Sequence, residues 1–410
     1  MRILVSSMAF YPDHSGIALY SSDFAFYAAE KGHQVSVVTG FPFYPSWRKR
    51  PEDRRRLFRK DTHKNVTIYR GYLYVPARPN GIKRILQEIS FLSFAFINFW
   101  RAGKQDAIVV FTTPVLLGVL GWIFKKFYRS ALVINVQDFQ VEAADSLGML
   151  RMVPVVPLML ALEKFSYRKS DVVTSISSSM MQLLQEKGLP ASSTYLWPNW
   201  IEVEKAAAIG ERGKFRKKFG IPDEHVIIGY AGNVGNKQGL HILIDLANAY
   251  KHKSNLLFLI IGEGSDLANL KQYHAEHPAD NLKFLPFLNP TGYAEFLADA
   301  DVIFISQKKI PKDIYFPSKL LGLMAASKLI FLAADEEAEL YKVLHNNELA
   351  LVSHFEKFDE LKQCVDKVLS NDKILDKFKA NARAFVQQFD REKVLDNALK
   401  KIEIIKKNAK

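Results

Sequence analysis

The chain has 410 residues, 48% apolar and 24% charged, a composition that excludes disorder, collagen and coiled coil and at the usual domain size leaves room for two or three domains. Its 56 Lys and Arg against 43 Asp and Glu give a net charge of +13, which asks for an anionic partner: nucleic acid, a phosphorylated ligand or an anionic membrane surface. Residues 1–205 hold 26 basic against 16 acidic side chains and residues 206–410 hold 30 against 27, so the excess belongs to the first half.

Met1-Arg2-Ile3-Leu4-Val5 runs straight into a β-branched strand over residues 2–7, without the long apolar core and small-residue cleavage site of a signal peptide, so export is not expected. A loop with Pro12 and Gly16, a helical stretch to about Lys31, a stop at Gly32 and a strand at Val35–Thr39 make a βαβ beginning. Residues 48–60 then carry eight basic against two acidic side chains. Ile82, Ile85, Leu86, Ile89, Leu92 and Phe96 recur at helical spacing, with Lys83 and Arg84 on the polar side and Phe91, Phe94, Phe99 and Trp100 enlarging the apolar face. This reads either as a helix lying in a membrane interface or as a core helix beside a solvated charged loop. Basic-aromatic clusters recur at 125–129 and 167–169. The apolar runs at 89–100 and 114–124 reach about a dozen residues, short of the roughly 20 that span a bilayer, so no crossing is expected.

The polar segment of about Glu202 to Glu224 reads as a linker, and the βαβ rhythm restarts at Val226-Ile227-Ile228-Gly229-Tyr230. The expected organisation is residues 1–205, residues 206–390 and a terminal helix in 391–410. The fold class is α/β, two doubly wound parallel sheets facing a cleft at the carboxyl ends of their strands. After the restarted strand come Gly232, Asn233, Val234, Gly235, Asn236, Lys237, Gln238 and Gly239, then a helix from Leu240. Glycines let loop amides converge on an anion, the helix dipole adds about 0.3–1 kcal/mol, and Lys237 supplies a full charge. A tight strand-to-helix turn with a solvated lysine is the competing reading. Strand Leu256–Ile261 ends in Gly262-Glu263-Gly264-Ser265-Asp266, a second ligand loop or a turn capped by Ser265 or Asp266. A third candidate is Phe316-Pro317-Ser318-Lys319, where a lysine in the first turn opposes the helix dipole and so favours an anionic ligand. Asp299-Ala300-Asp301 fits a divalent-ion pattern but precedes its strand, so it reads as a helix-to-strand turn and no essential metal is expected. The one cysteine, Cys364, excludes an internal disulfide and a cysteine-built metal site and fits a reducing compartment.

At these loops the chain resembles, nearly end to end, the retaining GT-B glycosyltransferases of family 4, in particular the branch that builds colanic acid and O-antigen polysaccharides. The carriers are Tyr11-Pro12-Asp13-His14-Ser15-Gly16-Ile17-Ala18, Gly40-Phe41-Pro42-Phe43-Tyr44-Pro45-Ser46-Trp47, Val136-Gln137-Asp138, Ile176-Ser177, Pro198-Asn199-Trp200-Ile201, the Gly232–Gly239 loop, Gly262-Glu263-Gly264 and Pro317-Ser318-Lys319. The resemblance implies transfer of a hexose from a nucleoside diphosphate sugar, a UDP-sugar ahead of a GDP-sugar, with retention and without metal or other cofactor. Donor contacts fall to Gly16, Gly232, Asn233, Gly235, Gln238, Gly239, Gly262, Glu263, Pro317 and Ser318. Lys237 and Lys319 would stabilise the departing diphosphate, and Asp138 would position the sugar or acceptor.

Departures from the broad family are specific. Its donor-loop arginine and lysine correspond to Asn233 and Gln238, with Lys237 shifted by one; its two glutamates correspond to Ile314 and Gly322; its first-domain histidine gives way to Gln137-Asp138. Charge asymmetry and resemblance together imply a polyprenyl-diphosphate-linked saccharide acceptor and a cytoplasmic protein on the inner face of the cell membrane. The alternatives are a basic nucleic-acid-binding protein, for which no recognised signature is present, and an inactive GT-B protein.

Overall fold

The structure, a computed structural model, describes residues 1–14, 16–44, 46–77, 81–139, 156–309 and 318–408. It separates into two α/β units, residues 1–199 with 392–410 and residues 200–391.

In the first unit β1 (Arg2–Ser6), β2 (Gln34–Gly40), β3 (Phe58–His63), β4 (Val66–Gly71), β5 (Ala107–Thr112), β6 (Ala131–Val136), β7 (Val172–Ser175) and β8 (Thr194–Leu196) form one sheet, ordered β3-β4-β2-β1-β5-β6-β7-β8. Its helices are α1 (Ile17–Glu30), α2 (Gly81–Ala102), α3 (Leu116–Tyr128), α4 (Val156–Lys169) and α5 (Ser178–Glu186). β5 and β6 are buried at every position, which is why they read as unbroken apolar runs: helices cover a parallel sheet on both faces. The sheet is not parallel throughout, however. β3 pairs antiparallel with β4 through the two-residue turn Lys64-Asn65, both at positive φ, the backbone that such hairpins require. Arg59 and Lys60 of the basic run thus lie in a strand, and Arg59 pairs with Asp53 and Asp61.

The second unit holds α6 (Val203–Ala207), α7 (Lys214–Phe219), β9 (Val226–Ala231), α8 (His241–Ala249), β10 (Leu256–Ile261), α9 (Leu267–Glu276), β11 (Leu282–Leu285), α10 (Pro290–Asp299), β12 (Val302–Ser306), α11 (Ser318–Ala325), β13 (Leu329–Ala334), α12 (Glu339–Asn346), β14 (Leu351–His354), α13 (Phe358–Leu369) and α14 (Ile374–Val386). Its sheet is parallel and ordered β11-β10-β9-β12-β13-β14, so the direction of winding reverses between β9 and β12. Apolar clusters fill both faces, one around Leu243, Phe258 and Val365, the other around Phe215, Phe296 and Met324.

The segment read as a linker is built into this unit instead. Phe215 of α7 is fully buried, and Arg216 donates to the backbone oxygens of Pro222 and His225. The last helix, α15 (Arg391–Asn408), packs on the first unit by Leu395, Leu399 and Ile402, with Tyr27 donating to Asp396 at 2.8 Å and Lys31 pairing with the same carboxylate at 3.2 Å.

Candidate active site

Where winding reverses in a doubly wound sheet, the two loops at the carboxyl ends of the central strands diverge and leave room for a ligand. In the second unit those loops follow β9 and β12, and the structure ties them together. Ser306 Oγ donates to the Gln238 carbonyl at 2.6 Å, the Lys308 amide to the Lys237 carbonyl at 2.9 Å, and Lys308 Nζ to Asn236 Oδ1 at 2.8 Å.

The loop after β9 is also interlocked with the loop after β10. The Gly232 amide donates to Ile261 O at 2.9 Å, the Val234 amide to Glu263 O at 2.8 Å, and the Asp266 amide to Val234 O at 3.1 Å. Gly262, at φ +141°, passes so close that a Cβ there would drive into the carbonyl oxygen of Gly232, and one on Gly264 into that of Val234. The Gly235 amide donates to Gln238 Oε1 at 3.2 Å, and the Gly239 amide to Asn236 O at 3.1 Å, with Gly239 itself left-handed at φ +59°.

The amides of Gly232, Gly235 and Gly239 thus donate inside the protein. The glycines that the crossing itself requires are Gly262 and Gly264, where any Cβ would meet a carbonyl oxygen of the other loop. Gln238 braces its own loop. Glu263 contributes a carbonyl to the crossing while its side chain is exposed. Neither Ser265 nor Asp266 caps α9: Asp266 occupies the cap position without a side-chain cap bond and accepts from Asn269 Nδ2 at 2.8 Å.

What remains at the crossing is side-chain charge. Lys319, in the first turn of α11, places its ammonium nitrogen 3.4 Å from where a Cβ on Gly232 would sit. Lys237 and Asn233 are exposed on the same loop, the Asn233 carbonyl accepting from Tyr230 Oη at 2.6 Å. Burial pushes the Tyr230 phenol up to about 12, so it stays a donor at neutral pH. Among the described residues neither lysine has an ion-pair partner. Pro317 lies outside the described residues, as does Ile314, and Ser318 is described only as the first residue of α11. Gly322, where the broad family carries a glutamate, sits within α11. Phe287, two residues past β11, is 68% exposed at the same end of the sheet and carried no signal that singled it out.

The Asp299-Ala300-Asp301 pattern is consumed by folding. Asp299 accepts from the amides of Gly213 at 2.6 Å and Arg216 at 2.9 Å, and Asp301 from the Ile227 amide at 2.8 Å and Arg216 Nη2 at 3.1 Å. Among the described residues no three His, Cys, Asp or Glu side chains cluster as metal ligands would.

In the first unit, Gly16 starts α1 at φ 58° and ψ −136°, backbone that only glycine adopts without strain. Asp138 is half-buried two residues past β6, where Gln137 Nε2 donates to Asn135 Oδ1 at 2.7 Å. The loops after β1 and β2 enclose a cavity of about 500 Å³ lined by Asp13, His14, Phe43, Tyr44, Arg48 and Arg50 among others. Asp13 is 5% exposed and accepts from the amides of Phe43 and Tyr44, each at 3.3 Å. Burial pushes its carboxyl above the usual range, the two amides, Arg70 and Arg50 opposing. Arg48 and Arg50 stood out in the sequence only as part of a charged run; the bend of the loop after β2 turns them to this cavity.

α2 has two apolar faces. Phe91 and Phe99, expected on a membrane-facing side, are fully buried in the core, while Leu86, Ile89, Phe96, Ile97 and Trp100 are exposed. Trp100 packs edge-on against Phe127 of α3, itself 60% exposed. Lys126 and Arg129 are exposed beside it, whereas Lys125 is tied to Asp171 at 2.7 Å. Among the described residues no helix is long and apolar enough to cross a membrane.

Residues 15–200 match a family described as "Glycosyl transferase 4-like domain" and residues 211–385 one described as "Glycosyl transferases group 1". A curated relative, the putative colanic acid biosynthesis glycosyl transferase WcaI of Escherichia coli K12, is 30% identical over 348 residues, covering 83% of this chain and 85% of that one. The chain belongs to the group 1 glycosyltransferases. Among solved structures, the glycosyltransferase superposes on sucrose-phosphate synthase from Thermosynechococcus elongatus with a TM-score of 0.71 at 16% identity, covering 98% of each chain. It superposes on Anabaena Alr3699/HepE in complex with UDP with a TM-score of 0.70 at 15% identity, covering 98% of this chain and 100% of that one. Its two α/β units are those of the GT-B fold.

Proposed function

We propose that this glycosyltransferase moves a hexose from a nucleoside diphosphate sugar, UDP-linked ahead of GDP-linked, onto a lipid-linked saccharide during surface polysaccharide assembly, with retention of configuration and without a metal. The observation that carries the proposal is the Lys319 ammonium against Gly232 at the reversal point of the second unit. A diphosphate leaving group gains a full negative charge as its bond to the sugar breaks, and a cation fixed beside it stabilises that state more than the ground state. Lys237 adds a second charge on the same loop, and Asn233 its amide. Phe287 offers a ring on which a base stacks. Asp138, in the first unit, orients sugar or acceptor. The UDP held by the HepE structure and the polysaccharide role in the name of the E. coli relative support this choice of donor and setting. The acceptor stays in an anionic leaflet, reached by the exposed face of α2 with Phe127 and by Arg54, Arg55 and Arg56, each basic residue near the surface contributing about 1 kcal/mol.

A thermal-shift comparison of UDP, GDP, ADP, CMP and short single-stranded RNA tests the reading. Ligand at about 100 times its dissociation constant stabilises by about 2.7 kcal/mol, a rise of a few degrees. One nucleoside diphosphate alone should give it; a shift with RNA alone would transfer the case to nucleic-acid binding. Excess chelator should leave transfer unchanged, and a complete loss restored by a divalent ion would refute the metal-free mechanism.

A further inference from the structure

We infer that the cavity between the loops after β1 and β2 is a subsite for a phosphate or diphosphate group on the acceptor, gripped by Arg48 and Arg50; the inference rests on the transferase reading above. Neighbouring arginines show how these two differ. Arg59 is paired with Asp53 and Asp61, and Arg70, 2% exposed, with Asp61 at 2.7 Å. Folding thus engages Asp53 and Asp61 with other arginines, while Arg48 and Arg50 have no ion-pair partner among the described residues and line the cavity.

The walls are held from several sides. Asp13 clamps the Phe43 and Tyr44 amides across the two loops, and Arg70 Nη2 donates to the Tyr11 carbonyl at 2.7 Å. Trp47 packs on Phe43 and Tyr44 and lies beneath the Arg84 guanidinium at 5.8 Å. Among the described residues Asp13 is the one carboxylate lining the cavity, and Arg70 and Arg50 both lie close enough to act on its charge, so the net field at the mouth favours an anion. Guanidinium groups present paired N–H donors that match phosphate oxygens, and a volume of about 500 Å³ accommodates a diphosphate with part of a sugar. Arg84 belongs to α2, whose exposed apolar face begins at Leu86, so a lipid chain attached to such a phosphate has apolar surface next to it.

Titration calorimetry on the full chain at fixed ionic strength, with farnesyl diphosphate, farnesol, glucose 1-phosphate and separately UDP, tests this. Farnesyl diphosphate should bind, and an Arg48→Ala/Arg50→Ala variant should bind it at least tenfold more weakly, with the Lys/Lys variant in between and UDP affinity as in wild type, which also reports an intact fold. Arg-dependent binding of glucose 1-phosphate as well would assign the site to sugar phosphates generally; binding of farnesyl diphosphate alone would assign it to a lipid-linked phosphate. Equal affinity of the double alanine variant for farnesyl diphosphate, no binding by either phosphate, or farnesol binding as tightly as its diphosphate would overturn the inference. Arg-dependent phosphate binding in a protein that ignores UDP would uphold the subsite and count against the donor reading alone.

Discussion

The two units place loops at equivalent ends of similar sheets but hold them by opposite means. In the second unit the loops after β9 and β10 touch backbone to backbone, with Gly262 under the Gly232 carbonyl and amides donating across the crossing. In the first unit a buried carboxylate, Asp13 of the loop after β1, ties down the Phe43 and Tyr44 amides of the loop after β2, and a cavity remains beside that brace. A backbone crossing leaves little volume and fixes the direction of nearby side chains, which suits charge stabilisation at one point. A cavity braced by side chains accepts a bulkier, more variable group. The glycine-rich and the basic segments are therefore two solutions to ligand placement, one built on close backbone contact and the other on a side-chain brace.

Glycine substitutions break that contrast most directly. Gly262→Ala should destabilise the protein by about 3 kcal/mol or more, because the added methyl meets a carbonyl that cannot move without parting the loops. Gly16→Ala meets nothing within 4 Å and should cost only the backbone strain, about 1–2 kcal/mol. Calorimetry on the full chain measures both, and equal losses would dissolve the distinction. A smaller effect sharpens the charge side of the comparison. Replacing Arg54, Arg55 and Arg56 by Ala should lower partitioning onto vesicles containing anionic lipid while leaving the melting temperature within a degree or two, since these side chains are exposed. Unchanged vesicle binding would remove the basic loop from membrane attachment.

Much of this was legible in the sequence. Val226–Ala231, Leu256–Ile261 and Val302–Ser306 announce themselves because central strands of a covered parallel sheet are apolar at nearly every position. Lys319 was legible because a lysine opposing a helix dipole needs a reason, and the structure puts it beside Gly232. β3 was not, since Phe58-Arg59-Lys60-Asp61-Thr62-His63 is an edge strand with mostly polar side chains and looks like the charged loop it follows. The role of Gly262 was hidden for another reason: what requires it is a carbonyl 30 positions away, and a local pattern carries no information about a crossing. The double face of α2 escaped the periodicity because a stripe of Leu and Phe says that a face is apolar, not which neighbour covers it. Residues 202–224 read as a tether because they are mostly polar, yet Phe215 is buried in the second unit and Arg216 is bound to Asp299 and Asp301 there.

The central claim, that Lys319 carries the charge opposite the leaving diphosphate, is tested by comparing kcat for wild type, Lys319→Ala and Lys319→Arg with the nucleotide sugar whose base gives the thermal shift. The account predicts at least a tenfold fall for alanine, about 1.4 kcal/mol or more in the barrier, partial recovery with arginine, and unchanged melting temperature for both. Alanine turning over within twofold of wild type would contradict it.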